Sequence, residues 1–119
     1  MTYVDTITLA GIDREKNYET WQNLIRSCGN SAKTFEIHCW NEERAWIELA
    51  CRYGKIIRHE WTLGKVIAGE VTEDFIGMLL SQPLPQDIRV QDKMTPFFSI
   101  FFDNGISSEH YGTEINIYE

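Results

Sequence analysis

Polar and apolar positions alternate from Tyr3 to Leu9, with Val4, Thr6 and Thr8 on one side and Tyr3, Asp5, Ile7 and Leu9 on the other, which predicts a first strand. Gly11 and Asp13 punctuate it. The period then changes. Tyr18, Trp21, Leu24, Ile25 and Cys28 fall on one helical stripe, Asp13 or Asn17 offers a cap at its start, and Gly29 stands where a left-handed residue would end it. Alternation returns at Thr34–Trp40, where Phe35, Ile37 and Cys39 face one way and Glu36, His38 and Trp40 the other, the pattern of a half-buried strand. Asn41 as N-cap, Glu42 and Glu43 at the positive end of the dipole, and the stripe Ala45, Trp46, Leu49, Ala50 and Tyr53 before Gly54 predict a second helix of about three turns.

From Ile56 to Val71 β-branched residues predominate, and two short strands with a turn near Leu63 and Gly64 are expected. Thr72 can cap a third helix carrying Phe75, Ile76, Leu79 and Leu80, which Pro83 and Pro85 terminate. A loop follows to Met94, with a short strand expected at Ile88 to Gln91. Phe97 to Phe102 is apolar on both faces apart from Ser99, so it belongs in the centre of a sheet with helices against one side. It runs into Asp103, Asn104 and Gly105, a signal for a hairpin with a type I′ turn and positive φ at both central residues. Ile115 and Ile117 mark a closing strand. The whole chain, residues 1–119, reads as a single α+β domain: a mainly antiparallel sheet of about five to six strands with two to three helices packed on it.

Composition narrows the function. Hydrophobic residues make up 43% and aromatic residues 13% of the chain, which is incompatible with low-hydrophobicity disorder. A formal charge of -7 repels phosphate backbones, so nucleic acid is not expected as a direct partner, and the acidic field favours capture of something basic. The plainer account of that charge is solubility. Cys28, Cys39 and Cys51 are odd in number and spaced for neither a disulfide framework nor a zinc site, and read as small buried hydrophobes in a reducing cytoplasm. Met1 to Leu9 lacks a basic leader with an apolar stretch and no long apolar run occurs anywhere, so no membrane association is expected.

Catalytic patterns are weak. His38, His59 and His110 belong to no metal-ligand motif, and His38 and Cys39, adjacent on a strand, point to opposite faces. No glycine-flanked nucleophile elbow occurs; Cys39 with His59 or His110 is a geometrically allowed pairing, and a small enzyme would use Cys39 or a histidine. The acid pairs Glu42 with Glu43 and Glu73 with Asp74 are explained by their places at helix starts. Gly64 to Gly69 lacks the spacing of a phosphate-binding loop. No catalytic residue, metal or cofactor is expected.

The informative feature is that Met94 to Glu119 contains no Lys or Arg but does contain Asp103, Glu109, Glu114 and Glu119, with His110 and Tyr111 between the last hairpin's acids. Carboxylates beside aromatic rings suit an interface that meets lysines and arginines, and Asp103, Glu109, His110, Tyr111 and Glu114 are the candidate partner-binding residues. The plainer account is a solvated edge strand whose charges block aggregation. In size, charge and the terminal segment Pro-Phe-Phe-Ser-Ile-Phe-Phe-Asp-Asn-Gly-Ile-Ser-Ser-Glu-His-Tyr-Gly the chain resembles the immunity proteins of bacterial contact-dependent growth inhibition systems. That resemblance implies a cytoplasmic, non-enzymatic protein that binds and neutralises a cognate basic toxin domain, often a nuclease, by covering its active site or substrate surface. It carries over no residue roles, because toxin contacts differ between pairs. Another protein-binding module, such as a phage-encoded inhibitor of host defence or a regulatory subunit, would show the same features.

Overall fold

The computed structural model describes residues 3–9, 13–86 and 92–118. Along the chain run β1 (Tyr3–Thr8), α1 (Arg14–Ser31), β2 (Thr34–Trp40), α2 (Arg44–Ala50), β3 (Gly54–Ile56), β4 (Gly64–Glu70), α3 (Glu73–Ser81), β5 (Ser99–Phe102), β6 (Ile106–Glu109) and β7 (Glu114–Tyr118). The fold is α+β, with one seven-stranded sheet and three helices, slightly more strands than the sequence pattern predicts. The order is β1-β7-β6-β5-β2-β4-β3 and every pairing is antiparallel. The C-terminal meander β5–β6–β7 is therefore inserted between the first two strands, and none of its strands is an edge. The expected strand at Ile88 to Gln91, together with Gly11 and Glu119, lies outside the described residues.

Strand register decides which side chains share a face, because directly opposed residues point the same way. Phe35 opposes Phe102 and Gly69, and Ile37 opposes Ile100 and Ile67. This face is the core, and all three helices cover it. Trp21 of α1 is fully buried and its Nε1 donates to Ser108 Oγ of β6 at 3.0 Å. The Phe75 ring of α3 packs on Phe35 with centroids 3.8 Å apart, and Ala50 of α2 is fully buried in the same cluster. Among the described residues no helix is long and apolar enough to cross a membrane.

Local signals place most elements. Asp13 caps α1 by accepting from Lys16 N, and Thr72 caps α3 by accepting from Phe75 N at 3.0 Å. Four details differ from the sequence pattern. Helix α1 passes through Gly29 to Ser31, because Gly29 is where α3 comes close: a Cβ there would lie 3.1 Å from Ile76 Cγ1. Helix α2 is a seven-residue segment capped at Glu43, while Asn41 instead donates to Thr62 O and Leu63 O, tethering residues 57–63. That tethered segment replaces the tight turn expected near Leu63, with β3 ending at Ile56 and β4 starting at Gly64. At the β5–β6 connection only Gly105 has positive φ (90°), and its N–H donates to Phe102 O, so the loop has three residues ending in a left-handed glycine and is not type I′.

Candidate functional site

Among the described residues, no secondary-structure element covers the face opposite the helices. One row of opposed residues crosses all seven strands on it: Thr6, Asn116, Ser107, Phe101, Glu36, Ala68 and Lys55. A neighbouring row carries Thr8, Glu114 and Glu109 on one side and Ser99, His38 and Val66 on the other. Trp40 and Gly64 oppose one another beyond it. These positions follow from the strand alternation, which sends Glu36, His38 and Trp40 away from Phe35, Ile37 and Cys39.

Aromatic rings form an arc over this face. Phe101 meets His38 at 4.8 Å between centroids, His38 meets Trp61 at 5.9 Å, Trp61 meets Trp40 at 5.0 Å, and Trp40 meets Phe98 at 5.0 Å. The arc ends on His110 and Tyr111, which both contact Phe98 edge-on. Trp61 arrives from the tethered 57–63 segment and lies where a Cβ on Gly64 would be, at 2.2 Å from its Cζ3. Val66 beneath the arc is 4% exposed although it is no part of the helix-covered core, whereas Trp40, Trp61, Phe98 and Phe101 are only half-buried. The sheet thus carries a second, thinner apolar layer with one side open.

Carboxylates border the arc, and most are held in place. Glu109 Oε2 accepts from Ser107 Oγ at 2.7 Å and from Asn116 Nδ2, while Asn116 Oδ1 in turn accepts from Thr6 Oγ1 at 2.6 Å. Glu114 sits directly opposite Glu109, an unfavourable like-charge pairing across two strands. Its Oε2 lies 3.2 Å from His110 Nδ1. Glu36 Oε1 lies 3.7 Å from His38 Nε2. Burial holds the His38 pKa below its usual value, against the opposing pull of Glu36, so the ring is neutral at physiological pH.

The β6–β7 connection is unusual. His110, Tyr111 and Gly112 are all left-handed, with φ of 52°, 61° and 83°. For each of the two non-glycine residues that conformation costs about 1–2 kcal/mol. Contacts from distant parts of the chain hold it: Tyr111 N donates to Phe98 O at 2.8 Å, and Tyr111 O accepts from Met94 N and Thr95 N. The Tyr111 hydroxyl donates to Glu43 Oε2 at 3.0 Å, Glu43 Oε1 accepts from Trp40 N, and Lys93 Nζ lies 4.0 Å from the Tyr111 ring centroid.

Of the five candidate binding residues, Glu109, His110, Tyr111 and Glu114 come together at this connection. Asp103 does not join them. It occupies the β5–β6 loop at the other end of the meander, where its Oδ1 accepts from Lys33 N at 2.7 Å and its own N–H donates to Thr34 O. Backbone N–H donation to the carboxylate, from Lys33 first and then Thr34, lowers its pKa and gives it a structural task at the start of β2. Tyr111 is likewise engaged within the molecule, and Lys93, just outside the lysine-free tail, supplies a cation the tail itself lacks. Glu36, His38, Trp40 and Phe101 belong to the site although only their alternation hinted at an open face, and Trp61 reaches it through Asn41.

Of the three cysteines expected to be buried, Cys28 and Cys39 are, whereas Cys51, just past the end of α2, is exposed. Cys39 is on the helix-covered side, fully buried, and burial pushes its thiol up to about 12, so it carries no thiolate at neutral pH. Among the described residues no group of three or more His, Cys, Asp or Glu is arranged to hold a metal ion. Comparison with known protein families, characterised proteins and solved structures yields no match.

Proposed function

We propose that the protein is a stoichiometric inhibitor of a basic protein, an immunity protein of the contact-dependent growth inhibition kind that docks its open sheet face on a cognate toxin domain in the cytoplasm. The observation that carries this reading is the half-buried aromatic arc bordered by Glu36, Glu109 and Glu114 on a face that no helix covers. Half-buried tryptophans lose their remaining water contact when a partner seats on them, and such aromatic anchors dominate binding energies. The carboxylates contribute in a different way. They steer a basic partner toward the face, raising association rates to about 10⁸ per molar per second at low salt, and reject acidic ones. A nuclease is positive where it grips phosphate, so an acidic, aromatic face competes for that surface. Stoichiometric cover needs no catalytic group.

Co-expression with the toxin encoded by the adjacent reading frame is expected to restore growth and yield a 1:1 complex. Glu109→Lys with Glu114→Lys should weaken that complex at least tenfold at low salt, and the loss should shrink as salt is raised. Absence of rescue while both proteins are made overturns the reading.

A further inference from the structure

Phe101 differs from the other rings of the open face. Among the described residues its ring neighbour is His38, and strand register places Glu36 beside it on β2 and Ser107 beside it on β6. Glu109, two residues beyond Ser107 on the same face, has its Oε2 fixed by Ser107 and Asn116. Ser107, which opposes it, and Ser99, two residues before it on β5, are small and buried. Register thus sets the phenyl ring between Glu36 on one neighbouring strand and Ser107 and Glu109 on the other. The chain satisfies the same chemistry elsewhere by itself, for Lys93 Nζ lies over the Tyr111 ring, whose hydroxyl contacts Glu43. Among the described residues the cation that lies over a ring is Lys93, at Tyr111 and not at Phe101.

Resting on the reading that this face docks a cationic protein, we propose that Phe101, flanked by Glu36 and Glu109, is the seat of a single arginine side chain of the partner. Arginine fits better than lysine because its planar guanidinium stacks on a ring while its edge N–H groups reach a carboxylate; an ammonium is a compact, strongly hydrated charge. The fixed Glu109 carboxylate costs little further ordering when the pairing forms.

The test is an NMR titration of the protein with acetyl-arginine-amide, acetyl-lysine-amide and acetyl-citrulline-amide, following the amides of Glu36, Ser107 and Glu109. Saturable shifts are expected with arginine, about threefold tighter than with lysine, and none with the uncharged citrulline compound. Phe101→Leu should abolish the preference for arginine, Phe101→Tyr should retain it, and Glu36→Gln with Glu109→Gln should weaken both cations. Equal affinity for arginine and lysine, shifts spread over every acidic residue without saturation, or a preference that survives Phe101→Leu overturns the seat. If Phe101→Leu does not fold, the Tyr variant and the Gln pair still decide. Toxin rescue untouched by Phe101→Leu removes the seat but leaves the docking function; failed rescue removes the function even where arginine binds.

Discussion

Replacing Gly112 by Ala probes the turn that presents Glu109, His110 and Glu114. Gly112 is left-handed (φ 83°), and a Cβ would lie 2.8 Å from Met94 Cβ and 2.9 Å from Trp21 Nε1. Neither obstacle is the free end of a flexible chain, since Met94 is 1% exposed and Trp21 is fully buried. The left-handed conformation costs about 1–2 kcal/mol once a Cβ is present. Forcing apart a packed core adds about 1–3 kcal/mol. Disturbing the Trp21 hydrogen bond to Ser108 adds about 1 kcal/mol. A destabilisation of about 3–6 kcal/mol is expected, lowering Tm by on the order of 10–25 °C for a domain of this size. Urea unfolding followed by tryptophan fluorescence measures it. Gly77→Ala is the matched control, because a Cβ there meets nothing within 4 Å and the residue sits exposed in α3. It should stabilise by about 0.5–1 kcal/mol. A loss below about 1 kcal/mol for Gly112→Ala, or the same sign for both substitutions, would refute the packing argument.

Native protein treated with iodoacetamide at neutral pH should be modified at Cys51, which is exposed, and spared at Cys28 and Cys39, which are buried with raised pKa values; peptide mass mapping reads this, and rapid labelling of Cys39 would contradict its burial. Asp103, with its folded pKa below 3.8, contributes stability that is present above 3.8 and lost as pH falls through the folded value, so acid unfolding of Asp103→Asn should show a flatter dependence in that range. His38 has the opposite bearing. Its folded pKa lies below 6.5, the unfolded chain binds more protons between the two values, and stability rises with pH there; an NMR midpoint for the His38 ring at or above 6.5 would contradict its burial.

The acidic tail is ordered by the fold. Its carboxylates are not a uniform unpaired surface: Asp103 ties down the start of β2, Glu109 is fixed by two side-chain donors, and Glu114 leans on His110. What remains exposed is an ordered set of acceptors beside rings, with Glu109 and Glu114 opposed across two strands. A partner's cation between them would relieve their mutual repulsion.

Elements that depend on near neighbours in the chain are legible in its residues. Alternation at Thr34–Trp40, the Thr72 cap and the breaker prolines after α3 act through backbone geometry and hydrogen bonds spanning three or four residues, so their outcome is written locally. Features that depend on residues far apart emerge only once the chain has folded. Gly29 continues a helix because Ile76 packs against it, Asp103 serves Lys33 across 70 positions, and two left-handed non-glycine residues persist because residues 93–98 and Glu43 hold them. The open face itself is of this second kind. Its rows exist only because the last three strands insert between the first two, a pairing that gains its hydrogen bonds and buried area only after distant segments have met.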